Sequence, residues 1–186
     1  MIYPIVVYGS PILRQTAKEI TAGEYPNLKT LISDMFDTMY KSDGMGLAAP
    51  QIGKSIRIFI TDATALADED PTLIDFKKVF INPKIQLLGE EKLIMNEGCL
   101  SLPKIREDVD RNNRIRITYQ DEEWNFHDEE YEGLKARVIQ HEYDHLDGVL
   151  FIDRINPLRR KLLKGKLNDI TRLKVDNLLY KIKVIK

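Results

Sequence analysis

Cysteine is almost missing from this chain, with one, Cys99, in 186 residues. No intrachain disulfide can form, and a lone thiol fits a reducing compartment. Histidine is scarce as well, with three in all. No apolar run approaches the roughly 20 residues that a membrane-spanning helix needs. Met1-Ile2-Tyr3-Pro4 begins no signal peptide, because no basic stretch leads into a long apolar one. There is no internal repeat and no low-complexity segment. These absences point to a cytoplasmic protein with no membrane partner. Net charge is nearly absent too, at −1, but the balance hides an asymmetry. Residues 154–186 hold eleven Lys or Arg against Asp169 and Asp176, which is +9 and leaves −10 for residues 1–153. A basic appendage on an acidic body suggests a polyanionic partner, unless it is simply the solvated face of a helix.

What is present is ordinary for a soluble globular protein, 43% apolar and 31% charged residues. The length is most simply one domain, residues 1–186. Residues 2–8 are β-prone and end in Gly9-Ser10-Pro11. Residues 25–42 predict a helix, with Pro26 in its first turn and a buried stripe of Leu28, Leu31, Ile32, Met35 and Met39. Gly44–Gln51 is built of small residues around Pro50 and suits an extended segment that a peptide could join as an added strand. Residues 56–62 alternate as a strand, 63–77 read as an acidic surface excursion, and 78–88 as a further strand whose Pro83 argues for an edge or a bend. Gly89–Lys92 reads as a turn into 93–95. Residues 114–120 alternate, with 123–127 as a hairpin partner, and His127 reads as a surface histidine. Residues 149–152 are β-prone, and Asn156-Pro157 opens a basic C-terminal helix. Residues 176–186 have no assignable pattern.

The chemistry gathers in Gln140–Gly148, which holds two of the three histidines, His141 and His145, four apart and with Glu142 between. On a helix they lie one turn apart on one face and can hold one metal ion. Leu134 and Val138 share that face, so it looks inward, and Gly148 fits the helix C-cap. Glu142 is then placed to take a proton from a metal-activated water. A catalytic site needs a third ligand. The candidates are Cys99, His127 and the acids beyond the helix. A zincin-like metallopeptidase, the rival reading, would place another Glu or His downstream. No histidine follows Gly148, and Asp153 is the only acid before Asp169, which favours Cys99.

Three segments together carry a family resemblance. Gly44–Gln51 resembles the GxGLAAxQ motif of the peptide deformylases, Glu97–Ser101 their EGCLS motif, and Gln140–Gly148 their QHExDHLxG motif. All three match in order, and only the 63–77 loop looks long for the family. The resemblance implies an α+β hydrolase, with a central metal-binding helix packed against antiparallel β-sheets, an N-terminal helix and a basic C-terminal helix. It implies one divalent metal held by Cys99, His141 and His145, usually Fe²⁺, with Ni²⁺, Co²⁺ or Zn²⁺ possible in purified protein. Glu142 would move the proton, and the Gln51 amide and Leu100 N–H would stabilise the oxyanion. Met45, Gly46, Leu100, Arg106 and Val138, with His141 at the edge, would form the side-chain pocket, and Glu97 would orient the loop around Cys99. The substrate would be the formyl-methionyl end of nascent peptides. Separately from the resemblance, the charge of the basic C-terminal helix suits ribosome association, by docking on ribosomal RNA near emerging chains, and no DNA partner is expected.

Overall fold

Leu28, Leu31, Ile32, Met35 and Met39 repeat at helical spacing, and all five are buried on helix α1 (Leu28–Lys41) in the computed structural model, which describes residues 1–185. Each such side chain contributes about 1.5–3 kcal/mol on full burial. The helix begins at Leu28, with Asn27 at the N-cap position and no side-chain capping bond, so Pro26 lies before it and not in its first turn. The stripe packs on a five-stranded antiparallel sheet in the order β2 (Gly46–Ala48), β3 (Ile58–Asp62), β4 (Lys77–Cys99), β5 (Leu102–Gln120), β6 (Phe126–Glu132). Ile58 and Ile60 of β3 join the α1 cluster, whereas Phe59 joins a second cluster under helix α2 (Gly133–Leu146). Alternation in β3 therefore sorts residues between two cores rather than between core and water. The small-residue segment supplies the edge strand β2, with one side unpaired in the sheet.

Several expectations are corrected. Pro83 lies in an inner strand, not at an edge, and the bend it signalled is a register shift between Ile81 and Lys84. Asn82, at φ 48°, holds that bend by bonding both the N–H and the carbonyl of Ile20. Gly89–Lys92 is no turn, because Leu88 pairs with Arg114 and Lys92 with Asn112, which leaves residues 89–91 as a bulge within β4. The charged run after Pro103 is strand, and β6 lies slightly beyond 123–127. The 63–77 excursion is pinned by the buried Leu73 and Phe76. Residues 149–152 form no strand, and Phe151–Asp153 is one 3₁₀ turn with Phe151 and Ile152 buried. The basic helix breaks at Leu163 into α3 (Pro157–Leu162) and α4 (Lys164–Thr171). Besides the antiparallel sheet there is a two-stranded parallel one, pairing β1 (Ile5–Val6) with β7 (Ile182–Lys183), which gives the unassigned tail its place. Lys186, the last of the tail's basic residues, lies outside the described residues.

Helix α2 is buried on nearly every side, not on one face. It ends in a Schellman turn. Val149 N–H donates to the Asp144 carbonyl at 2.9 Å, and Gly148 sits at φ 71°. A Cβ on Gly148 would come within 2.6 Å of the Arg14 backbone, so chain geometry and space both require glycine there. No described helix is long and apolar enough to cross a membrane.

Candidate metal centre and substrate cleft

Three segments distant in sequence converge on one cleft of about 360 Å³. The hairpin turn between β4 and β5 brings Cys99 to the end of its strand, followed by Leu100 and Ser101. Helix α2 brings His141 and His145, whose rings lie 5.3 Å apart. Cys99 Sγ is 3.2 Å from His145 Nε2, and the donor atoms of Cys99, His141 and His145 all lie within 4.8 Å of one another. His141 Nδ1 is bonded to Glu97 Oε2 at 2.9 Å, which leaves Nε2 as the ligand nitrogen and fixes the ring. A thiolate and two imidazoles fit a transition metal, and three protein ligands are the number of a catalytic site. Glu142, next to His141, has a buried Oε2 with no hydrogen-bond partner among the described residues. The residues fit a catalytic metal on both counts.

The third segment is β2 with the turn that follows it. Gly46 lies against Glu142, and a Cβ there would come within 2.7 Å of the carboxyl carbon. Gln51 is buried in the turn. Its Oε1 accepts from Ala48 N–H at 2.8 Å, and its Nε2 points to Cys99 Sγ at 3.5 Å and Ser101 Oγ at 3.2 Å. The amide is thus oriented with its donor toward the metal ligands. Met45, Gly46, Gln51, Leu100, Arg106 and Val138 all line the cleft, with Cys99, His141 and Glu142. Arg106 is held at the rim by Asn96, 2.8 Å from its Nε. His145 lies behind the cleft wall, buried. His127 is elsewhere, on β6, bonded to Asp121 and stacked on Tyr119.

A buried ionic network surrounds the ligands. Glu97 Oε1 accepts from Arg111 Nε at 2.6 Å and Arg137 Nη1 at 2.7 Å, and Oε2 accepts from Arg111 Nη2 at 2.9 Å. Arg111 Nη1 continues to Asp144 at 2.7 Å, and Arg154 closes on the same carboxylate. Burial alone would raise the Glu97 carboxyl, but hydrogen bonds from His141 and Arg111 outweigh it and hold the group well below the usual range. Glu142 has no such partners, so burial pushes its carboxyl up to about 7. That value suits a group that accepts and returns a proton near neutral pH. Burial holds His145 well below the ordinary imidazole range, neutral as a metal ligand would have to be.

Arg111, Arg137, Asp144 and Tyr180 were not anticipated. Arg137 had a signal, since it precedes His141 by one helical turn. Arg111 and Tyr180 had none, because their places depend on strand pairing.

A sequence profile of the polypeptide deformylase family matches residues 2–161. The peptide deformylase of Christiangramia forsetii is 47% identical over 190 aligned positions, covering 98% of this chain and 96% of its own. That of Flavobacterium psychrophilum is 50% identical, covering 91% of each chain. Among solved structures, the peptide deformylase of Thermus thermophilus is similar with a TM-score of 0.82 at 38% identity, over 94% of this chain and 100% of that one. With a profile match over most of its length and relatives this similar, the chain belongs to the polypeptide deformylase family.

Proposed function

We propose that this chain is a metal-dependent hydrolase that removes the formyl group from the N-terminal formyl-methionine of newly made polypeptides and releases formate. The observation that carries the reading is the cluster of Cys99, His141 and His145 beside a cleft that Cys99 and His141 line together with the partnerless carboxylate of Glu142. Cys99, His141 and His145 would hold one divalent ion, whose Lewis acidity activates water and polarises the formyl carbonyl. The donor set selects a first-row transition metal, and with the family resemblance it supports Fe²⁺. Glu142 takes the proton of the attacking water and delivers it to the amine nitrogen as the C–N bond breaks. The Gln51 amide and the Leu100 N–H donate to the charge that gathers on the formyl oxygen. Val138, Met45 and Leu100 offer an apolar wall to the methionine side chain, and Arg106 closes the rim. The free edge of β2 at Gly46 pairs with the peptide backbone.

Formate release from formyl-Met-Ala-Ser by anaerobically purified protein tests the reaction, with metal counted on the same sample. The expected result is rapid turnover with one transition metal per chain. One bound metal and no formate would remove the assignment.

The basic end of the chain supports a second proposal, docking on ribosomal RNA. Arg154, Arg159 and Arg160 are engaged by Asp144, Glu107 and Asp153. Lys161, Lys164 and Lys166, all exposed, are left to meet phosphates. Sedimentation with ribosomes is expected at low salt, falling steeply as salt rises. Binding that survives reversal of these three charges to Glu would refute it.

A further inference from the structure

The turn that carries Cys99 and Leu100 is held from outside by the two-stranded sheet. Tyr8 lies two residues after β1, and its backbone N–H donates to the Ser101 carbonyl at 2.9 Å. Tyr180 lies two residues before β7, and its hydroxyl donates to the Leu100 carbonyl at 2.9 Å. Gln51 Nε2 reaches Ser101 Oγ from the cleft side. Both carbonyls of the turn are therefore pinned by neighbours of one strand pair. That pair is well anchored. Ile5 N–H donates to Lys181 and Val7 N–H to Lys183, while Val175, Tyr180, Ile182 and Val184 pack on the main core. Tyr180 also lines the cleft, and it lies beyond residues 2–161, the stretch that the family profile matches.

We infer that Tyr180 is a positioning residue of this active site, its hydroxyl fixing the Leu100 peptide so that the Leu100 N–H is aimed at the formyl oxygen. The inference rests on the deformylase reading given above. The carbonyl that Tyr180 holds and the N–H that meets the substrate belong to adjacent peptide planes sharing the Leu100 Cα. The planes turn separately about φ and ψ, but a shift of the first carries that Cα, and the N–H with it. A hydroxyl pinning the first plane removes that freedom before substrate arrives, which is the requirement for a donor to act without reorganisation. The aromatic ring has a separate task, filling space against the core and the cleft wall.

Two variants separate the hydroxyl from the ring. Tyr180→Phe removes one oxygen and keeps the packing. Its kcat, expressed per bound metal and read well below the melting temperature, is expected to fall about five- to twenty-fold, part of the 10²–10³ lost when an oxyanion donor is removed outright. KM for formyl-Met-Ala-Ser and metal content should stay within about two-fold, since ground-state binding and the ligands are untouched. Tyr180→Leu is expected to match that kcat loss and to melt at lower temperature as well. Wild-type kcat in Tyr180→Phe, with loss only in Tyr180→Leu, would make the residue packing alone and overturn the inference. A raised KM with unchanged kcat would place it in substrate binding instead, and overturn it equally. No formate from the wild-type protein would sink the deformylase reading and this inference together, whereas wild-type turnover with an indifferent Tyr180→Phe sinks the inference alone.

Discussion

Glu142→Gln is expected to lower kcat by two to four orders of magnitude, about 10²–10⁴, while leaving the metal in place. The substitution is nearly isosteric, so Gly46 still has room beside it. It exchanges an acceptor for an amide that can neither take a proton from water nor return one to the leaving amine. The carboxylate is the right group to lose, because Oε2 is buried without a hydrogen-bond partner among the described residues. Cys99, His141 and His145 are unchanged, so the metal count should equal that of the wild type. KM should move little if the cleft keeps its shape. A variant retaining more than a tenth of wild-type kcat would show that another group carries the proton.

Arg111→Met should be the most destabilising single change outside the hydrophobic core. Its guanidinium lies between the carboxylates of Glu97 and Asp144, and the side chains are 1%, 6% and 7% exposed. Removing the cation leaves two buried carboxylates facing each other, with Arg137 and Arg154 as their remaining countercharges. Breaking a buried pair in this way costs about 3–5 kcal/mol. For a chain of this size that corresponds to a fall of roughly 6–20 °C in Tm. Arg111→Lys keeps the charge but not the two-pronged geometry, and should lie between. The exposed Lys29–Glu123 pair, at 74% and 52%, is the control. Lys29→Ala should not change Tm measurably. Because Glu97 also bonds His141, Arg111→Met should weaken metal binding as well, by about 10- to 100-fold. An Arg111→Met protein as stable as the control variant would mean that water reaches these carboxylates and screens them.

The candidate metal-binding residues, which the fold brings together, were legible because their signals are short motifs. A four-residue histidine spacing on a helix can be read without knowing the fold, and Cys99 follows from the lack of other third ligands and from the family motif around it. The α1 stripe was legible for the same reason, since one face meets the core and the other meets water. What failed depended on partners remote in the chain. Gly89-Glu90-Glu91-Lys92 has the composition of a turn, but β5 pairs on either side and draws it into a strand. Leu150, Phe151 and Ile152 make a short apolar run that fits a strand or a buried turn equally, and packing selected the turn. Helix α2 was read as having one apolar face. Its polar residues are buried because Glu97 and Arg111, from two other strands, stand ready to pair with Arg137 and Asp144. No pattern inside residues 133–146 carries that information.

The union of β1 with β7 also bears on how the protein is made. Ile185 N–H bonds Ser10 Oγ across 175 positions of chain. The entropic cost of closing so long a loop grows only as about (3/2)RT ln n, so the contact is affordable at equilibrium. In time it is late, since contacts between distant positions form after local ones. During synthesis, β1 emerges well before β7 and waits without its partner until residue 182 has cleared the ribosome. The helix with its histidines and the hairpin with its thiol are complete long before. A growing chain therefore carries Cys99, His141 and His145 while the turn bearing Leu100 still lacks one of its two pins, and that turn is fully held only once residues 180–183 have joined β1.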